Sequence, residues 1–218
     1  MKKIIFFTVL ILISFLGNSQ NKKQLKELYR HARDSGAANY IILKSKEKKE
    51  IKEIDIYRGG RGAGKAILTN GEKLKFIPGD ILECQDEDAF YKLCTYDYPV
   101  PGSSVSGENL AKRLYKAAIN IYMLSVTYFP PFQRYPSGTY FYLVEANNDG
   151  NLIVLKNGDE TIKKIKQIVS RSKKAKSIIV EDIESKYGKV KDFGYAESKL
   201  LEAVEVYNKD AEANQLEL

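Results

Sequence analysis

The spacing of apolar residues changes several times along the chain, and each change predicts a different element. Leu25, Leu28, Tyr29 and Ala32 recur at helical spacing, predicting a first helix over 21–34 that Ser35-Gly36 ends. Residues 39–44 and 51–57 are rich in Ile and Tyr and alternate imperfectly with charged residues. They read as two antiparallel strands joined by the charged link at 44–50. Residues 66–71 run as a strand into an Asn70-Gly71 turn, 72–77 resume the strand pattern, and Pro78-Gly79 turns the chain. Two further strand-like runs, 81–84 and 91–94, flank an acidic tip and predict a hairpin centred near Ala89.

The middle of the chain reads differently. Ser106 is a suitable N-cap, and Leu110, Leu114, Ala117, Ile121 and Leu124 make one stripe at helical spacing. Ala111, Tyr115, Ala118, Tyr122 and Ser125 make a neighbouring stripe, so a central, widely buried helix is predicted over 107–125. The residues after Ala118 are rich in strand-forming types, which leaves a strand there as the alternative. Further on, 139–145 and 151–156 bracket Asp149-Gly150, a strong hairpin signal.

Asp159 then caps a basic amphipathic helix from 160 to about 174, with Ile162, Ile165, Ile168 and Val169 facing inward. With four aliphatics and no ring on that face, packing against a sheet is expected over lying on an anionic membrane. A strand is predicted at 177–180, and a last helix over 195–211 with Ala196, Leu200, Ala203, Val204 and Tyr207 on one face. The expected class is therefore α+β, with antiparallel hairpins packed against about four helices around the apolar helix near 107–125.

The first twenty residues stand apart from this pattern. Lys2 and Lys3 precede an apolar run from Ile4 to Leu16, followed by small residues at Gly17 and Ser19, the order of a secretory signal peptide. A bilayer span needs about 20 apolar residues, more than this run supplies. Cleavage after Ser19 is expected, leaving a mature region 20–218 in the periplasm or outside the cell. The Pro- and Ser-rich stretch 98–107 offers a sub-boundary within it.

The chain carries a net charge of +7, which becomes +5 once Lys2 and Lys3 leave with the signal peptide. That excess favours an anionic envelope component, a polysaccharide or a protein, and is too mild to point to nucleic acid. No second apolar run is long and uninterrupted enough to span a bilayer, so membrane contact is expected to be peripheral at most.

With export, the cysteines change meaning. Cys84 and Cys94 would lie opposite one another in a hairpin centred near Ala89, so a disulfide is expected. A helix over 86–94 is the competing structure and would hold the sulfurs apart.

Gly59, Gly64 and Lys65 satisfy the spacing of a phosphate-binding loop, but Ala66 replaces the hydroxyl residue and a strand pattern replaces the helix. A nucleotide is therefore not expected. A glycine hairpin loop remains, or a backbone anion nest supported by Arg58, Arg61 and Lys65.

The stretch from Phe129 to Gly138 interleaves rings with prolines. Phe132, Arg134 and Tyr135 are its candidate ligand contacts, against the alternative of a loop tucked over the core. Catalytic chemistry is thinly supplied. One histidine, His31, sits beside the apolar face of its helix, and with two cysteines it cannot assemble a His/Cys zinc site. No metal or other cofactor is expected. The reading is an exported, non-enzymatic binding or structural protein engaging an anionic or polymeric partner. Its alternative is a carboxylate-dependent hydrolase of envelope polymers.

Overall fold

A computed structural model describes residues 38–56, 64–87, 89–100, 103–129, 135–146, 148–156, 158–184 and 193–214. The expected signal peptide, the expected first helix over 21–34 with His31, and residues 57–63 and 130–134 of the glycine and aromatic stretches lie outside these residues. Ten antiparallel strands form one sheet: β1 (Tyr40–Leu43), β2 (Lys48–Asp55), β3 (Gly64–Leu68), β4 (Lys73–Phe76), β5 (Ile81–Gln85), β6 (Phe90–Val100), β7 (Ser103–Tyr115), β8 (Ile119–Tyr128), β9 (Ser137–Ala146) and β10 (Ile153–Val154). Among the described residues the longer helices follow the sheet: α1 (Asp159–Ile168), the short α2 (Lys173–Ser177), a π-helical stretch (Ile178–Glu184) and α3 (Phe193–Asn214).

The spatial order β10-β9-β8-β7-β6-β5-β1-β2-β3-β4 describes two meanders joined through β1 and β5. The first, β1 to β4, moves outward one strand at a time. A tight turn at Pro78–Asp80 then returns the chain to the free side of β1, where β5 begins the second. The turn residues explain the early hairpins. Gly71 takes a positive φ of 89° after Asn70, and Gly150 a φ of 83° after Asp149, values that a side chain disfavours. The expected pairing of β1 with β2, the β3–β4 hairpin and the β9–β10 hairpin are all present.

The expected central helix over 107–125 is not present. Its residues form most of β7 and β8, joined by a turn in which the Ala117 N–H donates to Asn120 Oδ1 at 3.2 Å. The α+β arrangement of hairpins around a central helix is thus replaced, among the described residues, by one large sheet with its α-helices near the C-terminus. The cause is burial on both faces. Leu110 belongs to one apolar cluster and Ala111 to another; Ile119 and Ile121 pack under the helices, while Tyr122 and Leu124 pack on the opposite face. A strand with two dry faces shows no alternation, and its continuous apolar run mimics a helix.

Three clusters make the core. Beneath the helices, Ile119, Ile121 and Val144 meet Ile162, Ile165, Val169, Leu200, Val204 and Tyr207. This bears out the inward faces expected for the first part of the basic helix and for the last helix. The basic helix is shorter than expected, because the chain tightens at Val169–Arg171 and restarts at Ser172, whose hydroxyl caps α2 by accepting from the Ala175 N–H. The strand expected at 177–180 is helical.

On the other face, Tyr96 and Tyr98 of β6 lie against Phe141 of β9, with ring centroids 5.6 and 4.4 Å away, the second pair stacked. The β6–β7 hairpin therefore folds over β8 and β9, and its pairing with β8 stops at Lys112↔Met123. Pro99 lies near the end of β6, opposite Ser104. The third cluster joins β1–β5 to the outer side of β6 and β7 through Ile41, Ile51, Leu68, Phe76, Ile81, Cys84 and Leu110.

The expected disulfide is likewise absent: Cys84 and Cys94 are both free and buried. Cys84 pairs in register with Tyr91, and Cys94 with Asn109. The turn is set by Asp86, whose backbone N–H donates to the Ala89 carbonyl and whose side chain accepts from the Ala89 N–H at 2.7 Å. The hairpin thus centres between Glu87 and Asp88, not near Ala89. An odd shift in register moves a side chain to the other face, so the two thiols point to opposite sides of the sheet.

Candidate functional site

Three places concentrate polar or exposed chemistry. The first is a buried ionic network where β6, β8 and β9 meet. Glu145 is 1% exposed, yet it accepts from Tyr122 Oη at 2.7 Å, Asn120 Nδ2 at 3.2 Å and the Gly150 N–H at 2.9 Å. Lys92 of β6 completes an ion pair with it. Asn120 also donates to Asn148 Oδ1 at 2.6 Å. Nearby, Arg113 is buried with its guanidinium 3.9 Å from the centroid of the Phe90 ring.

Burial alone pushes the Glu145 carboxyl up. Hydrogen bonds from Lys92, Tyr122 and Asn120 outweigh that and hold it below its ordinary value. Burial, and then the same carboxylate, push the Tyr122 hydroxyl up. Glu145 is thus an ionised anchor rather than a proton donor, whose carboxyl would have to be raised. The sequence reading did not anticipate this network, since its members come from three strands. The available signal was one acid, Glu145, ending the apolar strand sequence Phe141-Tyr-Leu-Val144.

The second place is the outer face of β2, β3 and β4. Here Lys65 lies directly opposite Lys75 and Ile67 opposite Lys73, while Asp55 of β2 faces Lys65 from the other side. These residues, with Glu53, line a shallow groove of about 420 Å3. Lys65 is thus the member of the glycine-loop trio with a described position; Arg58 and Arg61 lie outside the described residues. After Lys65 the chain continues as β3, so no helix N-terminus faces the loop. Gly64, the second glycine of the phosphate-loop spacing, has a packing role: a Cβ there would sit 2.3 Å from the Phe76 ring.

The third place is the end of the β8–β9 hairpin, the aromatic stretch singled out from the sequence. Tyr135 is 80% exposed and Phe129 is 74% exposed. Tyr140, on the same hairpin, is 64% exposed and meets Tyr142 edge-on with centroids 6.2 Å apart. Phe132 and Arg134 fall outside the described residues. Of the candidates with a described position, Lys65 and Tyr135 do not converge, because β3 and the β8–β9 hairpin stand near opposite ends of the strand order.

Among the described residues, no group of three or more His, Cys, Asp or Glu side chains is placed to hold a metal ion. Both thiols are strongly desolvated, which pushes Cys94 up to about 12 and Cys84 higher still. No protein-family model matches the chain, and neither curated proteins nor solved structures provide a match.

Proposed function

We propose that this is an exported, non-enzymatic binding protein of the bacterial envelope, and that the face of β2–β4 receives its anionic partner. The observation that carries this reading is the register of β3 and β4, which sets Lys65 directly opposite Lys75, with Lys73 lining the same groove. Like charges directly opposite one another weaken a strand pair. An anion lying across them relieves that repulsion, and a repeating anionic polymer meets all three cations at once. Glu53 and Asp55 border the groove on β2, so the cationic half is the β3–β4 side, at the sheet's edge.

Replacing Lys65, Lys73 and Lys75 together with Ser tests this. Retention on immobilised alginate, an acidic polysaccharide, is expected to fall about tenfold at low salt and to lose most of its salt dependence. Lys65, Lys73 and Lys75 have side chains toward solvent, so the variant's melting temperature should stay close to that of the parent. Equal retention of variant and parent at low salt overturns the proposal.

A further inference from the structure

The β8–β9 hairpin carries a second, independent signal. In the 28 residues from Ala117 to Val144 the sequence holds one charged residue, Arg134, where a composition of 29% charged would place about eight. A wholly buried segment would account for such depletion, but this one is not wholly buried. Of the five large hydrophobic residues exposed among the described residues, three are here: Phe129, Tyr135 and Tyr140. Ser125 and Thr127, also exposed, add only hydroxyls beside them.

We infer that the end of the β8–β9 hairpin is a membrane-contact surface, with Phe129, Tyr135 and Tyr140 seated at the headgroup level of a lipid bilayer. Rings suit that boundary, where the apolar body leaves water and, in Tyr135 and Tyr140, the hydroxyl keeps a partner. Uncharged flanks matter as much, since a carboxylate there would resist leaving water.

The hairpin is stiff enough to present the rings. β8 and β9 pair continuously from Ile119↔Ala146 to Tyr128↔Ser137. Contact stays interfacial, because an open strand end cannot satisfy its backbone groups in hydrocarbon. No helix among the described residues is long and apolar enough to cross a membrane. The contact is also independent of the lysine face, since it requires no anionic lipid.

The chain has no Trp, so Phe129→Trp introduces a sole indole at the surface in question, excited at wavelengths that the tyrosines do not absorb. The form from Gln20 to Leu218 is used, so that the apolar leader does not itself bind lipid. On adding vesicles of pure phosphatidylcholine, emission should shift to the blue and be quenched when the lipid is brominated close to the headgroup. Adding Tyr135→Ser and Tyr140→Ser to the reporter should lower vesicle partitioning at least tenfold. Unshifted, unquenched emission overturns the inference. So does a concentration-dependent dimer formed without lipid and abolished by the same two substitutions, which would assign the rings to a second copy of the chain. Equal retention of the lysine variant and the parent on alginate, with vesicle binding intact, would overturn the anionic-polymer proposal alone.

Discussion

The two ends of the β8–β9 hairpin are made by the same strands and treat polarity in opposite ways. At the Ile119↔Ala146 end a charge is drawn inside, and both Glu145 oxygens accept hydrogen bonds from named donors. At the Tyr128↔Ser137 end apolar rings are turned outward, and the adjoining described residues carry no charge. Each end reverses the usual arrangement, and the reversals are complementary. The buried ion pair with Lys92 ties β9 to β6, together with the Tyr98–Phe141 stack. A base held in this way leaves the far end free to meet a partner without help from its own rings in folding. The comparison teaches that stability and recognition are segregated along one hairpin.

Three variants put that segregation to the test. Phe141 is wholly buried between the base and the tip, stacked under Tyr98. Phe141→Ala should destabilise the protein by about 4 kcal/mol in urea denaturation, through lost burial and the cavity left behind. A loss below about 1 kcal/mol would show that the β6–β7 hairpin does not rest on β9.

Glu145→Gln should cost about 3 kcal/mol, because Lys92 keeps its charge and loses its partner. This variant also changes the response to acid. The folded carboxyl is held below its ordinary value of 4.5, so its contribution is fully present above that value and is lost as pH falls through the folded value. The parent should weaken more steeply than Glu145→Gln on acidification below about pH 4.5. Parallel stability curves would contradict the anchoring role. At the other end, Tyr135→Ser with Tyr140→Ser should alter stability by no more than about 0.5 kcal/mol, as befits exposed side chains. A larger loss would mean that the rings belong to the core after all.

The parts of the fold legible in the sequence are those where one face is dry and the other wet, or where a turn needs glycine. The imperfect alternation over 51–57, the Asn70-Gly71 and Asp149-Gly150 turns and the stripe from Ala196 to Tyr207 carried their structure openly, whereas the first residues of β2 were hidden in what reads as a charged link. Legibility failed in β7 and β8 because Leu110 and Ala111, like Ile121 and Tyr122, are neighbours buried on opposite faces. The strand-forming residues from Ile119 to Tyr128 were the better guide there.

The disulfide expectation failed on a detail of comparable size. The Asp86 side chain closes a tighter turn than the acidic run suggests, and the resulting odd offset in register separates two thiols that pattern alone set face to face. The exposure of Lys65 and Tyr135 was legible because loops and strand ends flanked by Gly or Pro reach the surface. The Glu145 network was not, since no spacing in sequence relates Lys92, Asn120 and Tyr122 to it.

Hydrogen–deuterium exchange across the whole chain, with and without phosphatidylcholine vesicles, tests the division of the hairpin most directly. Lipid should slow exchange in peptides containing Phe129 and Tyr135 to Tyr140, while peptides around Asn120–Tyr122 and Val144–Ala146 stay equally protected in both conditions. Unchanged exchange at the ring-bearing end, or a change that reaches the Glu145 base, would contradict it.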